Sequence, residues 1–219
     1  YGGAVLAKKQ EYGNESIKSL KGAERVRKRP AVIFGSDGIE GCEHSIFEIM
    51  SNSIDEAREG YGKKIIITKY LDGSVEVQDF GRGIPVDYNK NEGKFNWELL
   101  FCEMYAGGKY DNGGDNYEFS LGLNGLGLCA TQYASEYMDA EIKSGGYKYT
   151  LHFEHGENVG GLVKEENKKR GDTGTRIKWK PDLKVFTDIN IPVEYFEKTI
   201  KRQAIVNDGI KFVFKNQIS

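Results

Sequence analysis

Acidic and amide side chains recur at helical spacing between residues 42 and 60. Glu48, Asn52 and Asp55 occupy positions i, i+4 and i+7, so a helix would present all three on one face. Carboxylate and amide oxygens held together in this way can ligate a divalent cation and activate a water molecule. A solvated helix surface also carries acids routinely, so the spacing alone leaves both a catalytic face and a surface face open.

The other face of this predicted helix is apolar and would attach it to a hydrophobic core. Its apolar positions recur every three or four residues and are Ile46, Ile49, Met50, Ile54 and Ala57. A helix fixed by this face would hold Glu48 and Asn52 at the edge of the core.

A second polar cluster follows a predicted β-hairpin. Residues 64–80, KIIITKYLDGSVEVQDF, contain two apolar strands joined by an Asp-Gly turn. The second strand ends at Asp79, and the turn that follows places Gly81 and Gly83 on either side of Arg82. Because glycine lets a backbone pass close to other atoms, this turn can hold a ligand beside Asp79.

Residues 106–127 have the most unusual composition of the chain, with seven glycines in 22 residues. A run of this length without a regular element is typical of a lid or another functional loop. It ends in GLNGLG and leads into a predicted helix. Backbone N–H groups and the positive end of the helix dipole would then face the same space, which suits a phosphate.

Several other kinds of site are excluded by spacing. The chain has no G-x-x-x-x-G-K-[ST] phosphate loop, and the glycines at 122–127 do not have the Rossmann order. The Asp-Phe-Gly triplet at 79–81 lacks the lysine strand and the H-R-D loop of a protein kinase. Three distant cysteines with no C-x-x-C pair argue against zinc and for a reducing compartment. His152 and His155 lie on different sides of their strand, which disfavours a shared metal.

The composition is that of a soluble globular protein. The 219 residues are 38% hydrophobic and 29% charged, enough for one large domain with its own core. A net charge of −2 argues against nucleic-acid binding by the whole surface, but leaves a local basic patch open. No apolar run approaches the length of a membrane span. Residues 1–15 lack periodicity and are expected to form an arm, followed by a domain at 16–219.

Periodicity predicts the remaining elements. Helices are expected at residues 16–29, 95–105, 128–138 and 192–204. Strands are expected at residues 31–34, 137–144, 147–154, 160–165, 174–180 and 210–215. Short polar turns between consecutive strands indicate an antiparallel or mixed sheet in an α+β fold.

Four features in a fixed order carry a family resemblance: the acid and amide helix, a strand ending in D-x-G-x-G, a glycine-rich segment opening a helix, and a G-x-T before a strand. The sequence resembles the GHKL ATPase superfamily, and in particular the ATPase domain of bacterial type IIA topoisomerase B subunits, those of DNA gyrase and topoisomerase IV. The resemblance covers about residues 12–219. Its motifs are SIKSLKGAERVRKRP, FEIMSNSIDEA, VQDFGRGIP, YAGGKYD, GLNGLG and GDTGTRIKW.

The resemblance implies a Bergerat-type ATP-binding fold, a two-layer α+β sandwich in which helices cover one face of a mixed, mostly antiparallel sheet. It also implies ATP and Mg²⁺ as cofactors. Glu48 would be the general base that activates water for attack on the γ-phosphate, and Asn52 would ligate Mg²⁺.

The resemblance assigns an adenine site to the D-x-G-x-G turn. Asp79 would accept the adenine amine, with support from Thr175 and its bound water. Gly81 and Gly83 would allow the base close to the backbone. Further residues implied at this site are an apolar wall of Ile84 and Pro85 and an ion pair of Arg82 with Glu56.

The resemblance also assigns the phosphate and ribose contacts. They would come from the glycine-rich segment and from the arm of a second copy. The residues are Gly107, Gly108, Lys109, Tyr117, Gly122, Leu123, Gly125, Leu126, Gly127 and Tyr12.

The implied partners belong to a larger cytoplasmic enzyme: DNA, a gyrase A-type subunit in a heterotetramer, and a second copy joined through the arm in the presence of ATP. The family's γ-phosphate lysine lies in a following domain beyond residue 219, so slow hydrolysis and a monomer are expected of this chain alone. Thr150 stands where many relatives carry an arginine that contacts aminocoumarin drugs, which predicts weakened binding of these inhibitors.

Alternatives remain open. Ser51, Phe80, Leu121 and Asn124 depart from the usual family residues and keep a divergent paralogue open. A topoisomerase IV subunit is a further alternative. A MutL-like or chaperone-like ATPase should lack RKRP and AGGKYD. An ATP-sensing module with weak hydrolysis would need Asp79 and the glycines but not Glu48.

Overall fold

The computed structural model describes residues 22–103, 126–169 and 171–218. These residues form one hydrophobic core, which includes the fully buried side chains of Phe101, Phe153, Trp179 and Phe196. The predicted arm and most of the glycine-rich segment lie outside the described residues. Across the described ranges, no helix combines the length and the hydrophobicity needed to cross a bilayer.

The strands of the described residues are β1 (Lys64–Lys69), β2 (Val75–Asp79), β3 (Tyr88–Asn89), β4 (Lys94–Phe95), β5 (Ser135–Ser144), β6 (Tyr147–Glu154), β7 (Glu157–Glu166), β8 (Gly174–Pro181) and β9 (Lys211–Asn216). Seven of them form one sheet in the order β7-β6-β5-β8-β2-β1-β9, and a separate two-stranded sheet pairs β3 with β4. All neighbours in the large sheet are antiparallel except β1 and β9, which are parallel. The predicted mixed, mostly antiparallel sheet is therefore confirmed.

Helices cover one face of the large sheet, as expected for a two-layer α+β fold. They are α1 (Ala23–Lys28), α2 (Pro30–Phe34), α3 (Ile39–Arg58), α4 (Asn96–Cys102), α5 (Leu126–Tyr133) and α6 (Val193–Val206). Alternate residues of the central strands, such as Val77 and Ile177, are buried beneath them. Their neighbours Glu76, Gln78 and Arg176 point to the other, open face of the sheet.

Helix α3 forms where the apolar periodicity predicts it, and all five predicted apolar positions are buried. The 20-residue helix begins three residues before the predicted start at residue 42. It ends at Arg58, and Gly60 then takes a positive φ of 94°, which turns the chain toward β1. The helix packs across β1, β2 and β8, so its polar face lies beside the ends of the central strands.

Residues 31–34, predicted as a strand, are helical instead. Pro30 begins α2, and Gly35 ends it in the left-handed conformation with φ 77°. Proline at the first helical position and glycine just after the last are helix boundary signals. A four-residue apolar run does not by itself distinguish a strand from a buried helix turn, which is why the prediction was wrong.

The helix predicted at 128–138 was also placed wrongly. It ends at Tyr133, and β5 begins at Ser135, where burial changes to a two-residue alternation. The Ser135 hydroxyl donates to the Gln132 carbonyl across this junction, at 2.6 Å. The short sheet of β3 and β4 was not predicted, because two-residue strands carry no periodicity.

Candidate functional site

A recess of about 50 Å³ lies between α3 and the ends of β2 and β8. It brings together predicted residues that lie far apart in sequence. Its lining consists of Ile49, Asn52, Ser53, Glu56, Val77, Asp79, Ile84, Leu128, Thr175 and Ile177.

Asp79 lies at the floor of this recess, at the last position of β2, and its side chain is buried. Its Oδ1 accepts hydrogen bonds from the backbone N–H of Gly81 at 3.0 Å and of Thr175 at 3.2 Å. Its Oδ2 accepts one from the Ser53 hydroxyl at 2.7 Å. Burial raises the pKa of the Asp79 carboxyl above its ordinary value, while these donors oppose the rise.

Thr175 links β8 to the end of β2 and to the turn that follows β2. It lies on β8 beside Asp79, and its hydroxyl oxygen accepts the backbone N–H of Ile84 at 3.0 Å. This bond fixes the turn after β2 against β8. The predicted proximity of Thr175, Asp79 and Ile84 is therefore present.

Glu48 lies one helical turn before Asn52, on the same face of α3 and beside the first turn of α5. Burial raises the pKa of Glu48, the neighbouring His44 opposes that rise, and Asp55 adds to it. A half-buried carboxylate with a raised pKa can accept a proton from a bound water, as a general base must.

Gly127 allows the close approach of α5 to Glu48. A Cβ atom at this position would lie 2.8 Å from the Glu48 Cβ and 2.9 Å from its Cγ. Leu126 begins α5, so the predicted start of a helix at the end of the glycine-rich segment is present. Tyr12, Gly107, Gly108, Lys109, Tyr117, Gly122, Leu123 and Gly125 lie outside the described residues.

The Asn52 side-chain amide is available to a ligand in the recess. This amide lines the recess one turn from Glu48 and, among the described residues, makes no hydrogen bond. One free amide oxygen fits Mg²⁺, which keeps most of its waters and uses few protein ligands when it binds phosphates.

The predicted ion pair between Arg82 and Glu56 is present. Arg82 Nη2 and Nε lie 2.7 and 3.0 Å from Glu56 Oε1, and Nη2 lies 3.1 Å from Glu59 Oε2. The guanidinium also stacks on Tyr61, 3.8 Å from the ring centroid. Because Arg82 is exposed, this pair contributes little to stability, and its effect is to hold the turn after Asp79 against α3.

The packing and the backbone conformation of this turn require glycine at Gly81 and Gly83. A Cβ at Gly81 would lie 2.3 Å from Glu56 Cγ, and Gly83 has a φ of 84°, where a side chain would be strained. Pro85 is exposed and is not among the residues that line the recess, so its place in the apolar wall stays a prediction. Ile84 shares that wall with Ile49, Val77, Leu128 and Ile177.

Thr150 does not face the recess. Its neighbours Tyr149 and Leu151 are buried beneath the helices, so Thr150 points to the open face, where it pairs with Glu141 and Val163. Weakened aminocoumarin binding through Thr150 stays a prediction.

The two histidines predicted not to share a metal have separate partners. His152 binds Asp139 and Glu154, whereas His155 Nδ1 lies 2.8 Å from Asp182. Within residues 22–103, 126–169 and 171–218, no three His, Cys, Asp or Glu side chains are grouped for a metal.

Two residues at this site were missed by the sequence reasoning. Ser53 lies beside the apolar face of α3 and is buried. Because a buried hydroxyl needs a hydrogen-bond partner, a serine at this position of the helix pattern could have indicated a polar contact. His44 lies four residues before Glu48 and therefore on the same helix face.

Residues 39–185 match the protein family described as histidine kinase-, DNA gyrase B-, and HSP90-like ATPase. The B subunit of DNA gyrase from Thermotoga maritima is 37% identical over 211 residues, which cover 96% of this chain and 32% of that protein. The B subunit of the type 2 topoisomerase from Aquifex aeolicus is 40% identical over 204 residues, covering 93% of this chain and 25% of that protein. The chain thus spans less than a third of the length of these relatives.

A solved structure shares the fold. The 43K ATPase domain of Thermus thermophilus gyrase B, crystallised with an aminocoumarin, aligns with a TM-score of 0.77 and 32% identity, over 90% of this chain and 49% of that one. The family match extends over more than half of the chain and includes α3, the recess and Thr175. The chain therefore belongs to the histidine kinase-, DNA gyrase B- and HSP90-like ATPase family.

Proposed function

We propose that this chain is the N-terminal ATP-binding and ATPase domain of the B subunit of a type II DNA topoisomerase. The observation that carries the proposal is the recess in which Asp79, on β2, faces Asn52 and Glu56, on α3, with Glu48 one turn away. The relatives that align along almost the whole chain are B subunits of gyrase and of a type 2 topoisomerase.

Adenine binds against Asp79 and Thr175 in this proposal. The apolar wall of Ile84 and Ile177 encloses the ring, and the remaining acceptor site of the Asp79 carboxylate receives the exocyclic amine. A buried acceptor that is otherwise satisfied gives strong base discrimination, because a wrong base leaves it without a partner.

The phosphates extend along α3 toward α5. Asn52 would ligate Mg²⁺, which would supply charge neutralisation to the phosphates, and the N-terminus of α5 at Leu126 and Gly127 would face them. Glu48 accepts a proton from the attacking water. Its raised pKa, caused by burial, makes it a stronger base than an exposed glutamate.

In the whole protein, ATP binding and hydrolysis drive the closure of a dimer gate during DNA strand passage. The support is the similarity to the B subunits of gyrase and topoisomerase, of which this chain covers 32% and 25%. A gyrase A-type subunit, DNA and an arm-mediated homodimer in the cytoplasm belong to this proposal. Supercoiling is the expected reaction, and decatenation is expected if the protein is of the topoisomerase IV type.

An aminocoumarin competes with ATP for the recess in this proposal. The support is that the similar Thermus thermophilus domain was crystallised with such a compound.

Nucleotide binding tests the adenine site. The Asp79→Asn variant should bind Mg·ATP about 100-fold more weakly in calorimetry, because it loses a charged acceptor for the amine. Asp139→Asn is the matched control, since Asp139 is an exposed carboxylate on the open face. Equal losses in the two variants, or no loss at Asp79, would count against the site.

Hydrolysis by the full-length protein separates an enzyme from an ATP sensor. Glu48→Ala should abolish turnover while leaving nucleotide binding within a few-fold of wild type, because the base acts on water and not on the nucleotide. Unchanged turnover would assign the chain to a sensing role instead.

A further inference from the structure

Ser53 is the one side chain of α3 that binds the Asp79 carboxylate among the described residues. The Ser53 hydroxyl donates to Asp79 Oδ2 at 2.7 Å, and both residues line the recess. Ser53 is 5% exposed and Asp79 is 8% exposed, so water does not compete freely for this bond.

The lone pairs of this carboxylate can be counted. Oδ1 accepts two backbone N–H groups, from Gly81 and Thr175, which use both of its lone pairs. Oδ2 accepts the Ser53 proton and keeps one free acceptor position. The Ser53 hydroxyl has only one proton, and that proton is used on Asp79. Toward the recess, both Ser53 Oγ and Asp79 Oδ2 can therefore only accept hydrogen bonds.

We propose that Ser53 Oγ and Asp79 Oδ2 together form a double acceptor that binds both N–H bonds of an exocyclic purine amine. This makes Ser53 a specificity-determining residue for 6-aminopurine nucleotides. The inference rests on the proposed ATP site, and it adds a second contact to the amine and a reason for strict base choice.

The double acceptor excludes 6-oxopurines for a physical reason. A carbonyl oxygen at C6 would face two acceptors in a buried site and would find no donor. A water molecule in place of the serine hydroxyl would behave differently, because water has two protons. It could donate one to Asp79 and the other to the carbonyl oxygen. Ser53→Ala makes room for such a water and should relax the exclusion.

The test combines substitutions in the protein with changes in the ligand. Calorimetry on the chain measures the affinities of ATP, N6-methyl-ATP and ITP, each with Mg²⁺, for wild type, Ser53→Ala and Ser53→Thr. N6-methyl-ATP has one N–H bond in place of two. Its methyl group would meet Ser53 Oγ in wild type, and would fill the space left by the hydroxyl in Ser53→Ala.

Wild type should prefer ATP over N6-methyl-ATP by about tenfold or more, since one buried hydrogen bond is lost. Ser53→Ala should reduce that preference to within about twofold and should lower the preference for ATP over ITP by about tenfold. Ser53→Thr, which keeps the hydroxyl, should retain the wild-type preferences.

Two outcomes contradict the inference in different ways. In the first, wild type binds ATP and Ser53→Ala shows the same preferences among the three nucleotides as wild type. Ser53 then does not bind the amine, and the proposed function stands without this inference. If wild type binds no adenine nucleotide, the proposed function fails and this inference fails with it. Thermal unfolding of each variant shows whether a change in affinity comes from the site or from loss of the fold.

Discussion

At the scale of single residues, the site depends on how α3 sets the charge of Glu48. The helix places His44 one turn before Glu48 and Asp55 about two turns after it. Burial raises the pKa of Glu48 and Asp55 adds to the rise, whereas His44 lowers that pKa. Substitutions of these two neighbours should therefore shift the pKa of Glu48 in opposite directions.

The Asp55→Asn variant should lower the pKa of Glu48, and His44→Ala should raise it, because the first removes a neighbouring negative charge and the second a neighbouring positive one. The pKa follows from the pH titration of the Glu48 side-chain carbonyl signal in NMR spectra of the chain. In the full-length enzyme the acid limb of the pH–rate profile should shift in the same two directions. Shifts of the same sign in both variants would contradict the electrostatic account.

Ser53 shows what sequence reasoning misses at this scale. Asp79 and Asn52 were found because their motifs are specific. The bond from Ser53 to Asp79 joins residues 26 positions apart, on a helix and a strand, and no local pattern reports it.

At the scale of elements, the contact between α3 and α5 positions the proposed base. Gly127 carries no side chain at the point where α5 meets Glu48. The contact is tighter than a methyl group permits, so α5 and Glu48 cannot both keep their places if one is added.

The Gly127→Ala variant should displace Glu48 or the first turn of α5. It should reduce ATP turnover in the full-length enzyme by about tenfold or more, and overpacking should cost about 1–3 kcal/mol of stability. Gly38→Ala is the matched control, because a Cβ there meets first the end of the Glu40 side chain, at 3.3 Å. Turnover that falls equally in both variants would argue against a specific role for this contact.

Some helices and strands could be predicted from the sequence and others could not, for physical reasons. Helix α3 and the hairpin of β1 and β2 have long periodic patterns, and an Asp-Gly turn fixes the hairpin. Helix α2 has five residues, too few to express a period, so a strand was predicted there. The parallel pairing of β1 with β9 joins distant segments, and its direction could not be derived from local sequence.

At the scale of the whole molecule, an ionic cluster around the buried carboxylate of Asp182 ties the first helix to the sheet. Arg27, on α1, binds Asp182 and donates to the Tyr133 and Ser135 carbonyls at 3.1 and 3.2 Å. His155 binds the same carboxylate. Burial opposes ionisation of Asp182, but its hydrogen bonds, that from Arg27 foremost, hold its pKa below the ordinary value.

A carboxylate with a lowered pKa stabilises the fold above its unfolded pKa of about 3.9, and the contribution is lost as the pH falls. Asp182→Asn should therefore cost about 3 kcal/mol at pH 7, because it leaves Arg27 without its buried partner. Urea unfolding at pH 7 and pH 3.5 should show a smaller difference between variant and wild type at the lower pH.

Glu24→Gln provides the control for this measurement. Glu24 pairs with Lys28 at the surface, and such a pair contributes about 0.5 kcal/mol or less. A pH-independent loss in Asp182→Asn would show that the carboxylate acts through packing and not through its charge.

The central claim is that the recess between α3 and β2 holds ATP with adenine on Asp79 and the γ-phosphate toward Glu48. A crystal structure of the chain with Mg²⁺ and a non-hydrolysable ATP analogue tests it most directly. The account predicts the exocyclic amine within hydrogen-bond distance of Asp79 Oδ2, Mg²⁺ on the Asn52 amide oxygen, and Glu48 one water from the γ-phosphorus. A nucleotide bound elsewhere, or with its adenine turned away from Asp79, would contradict it.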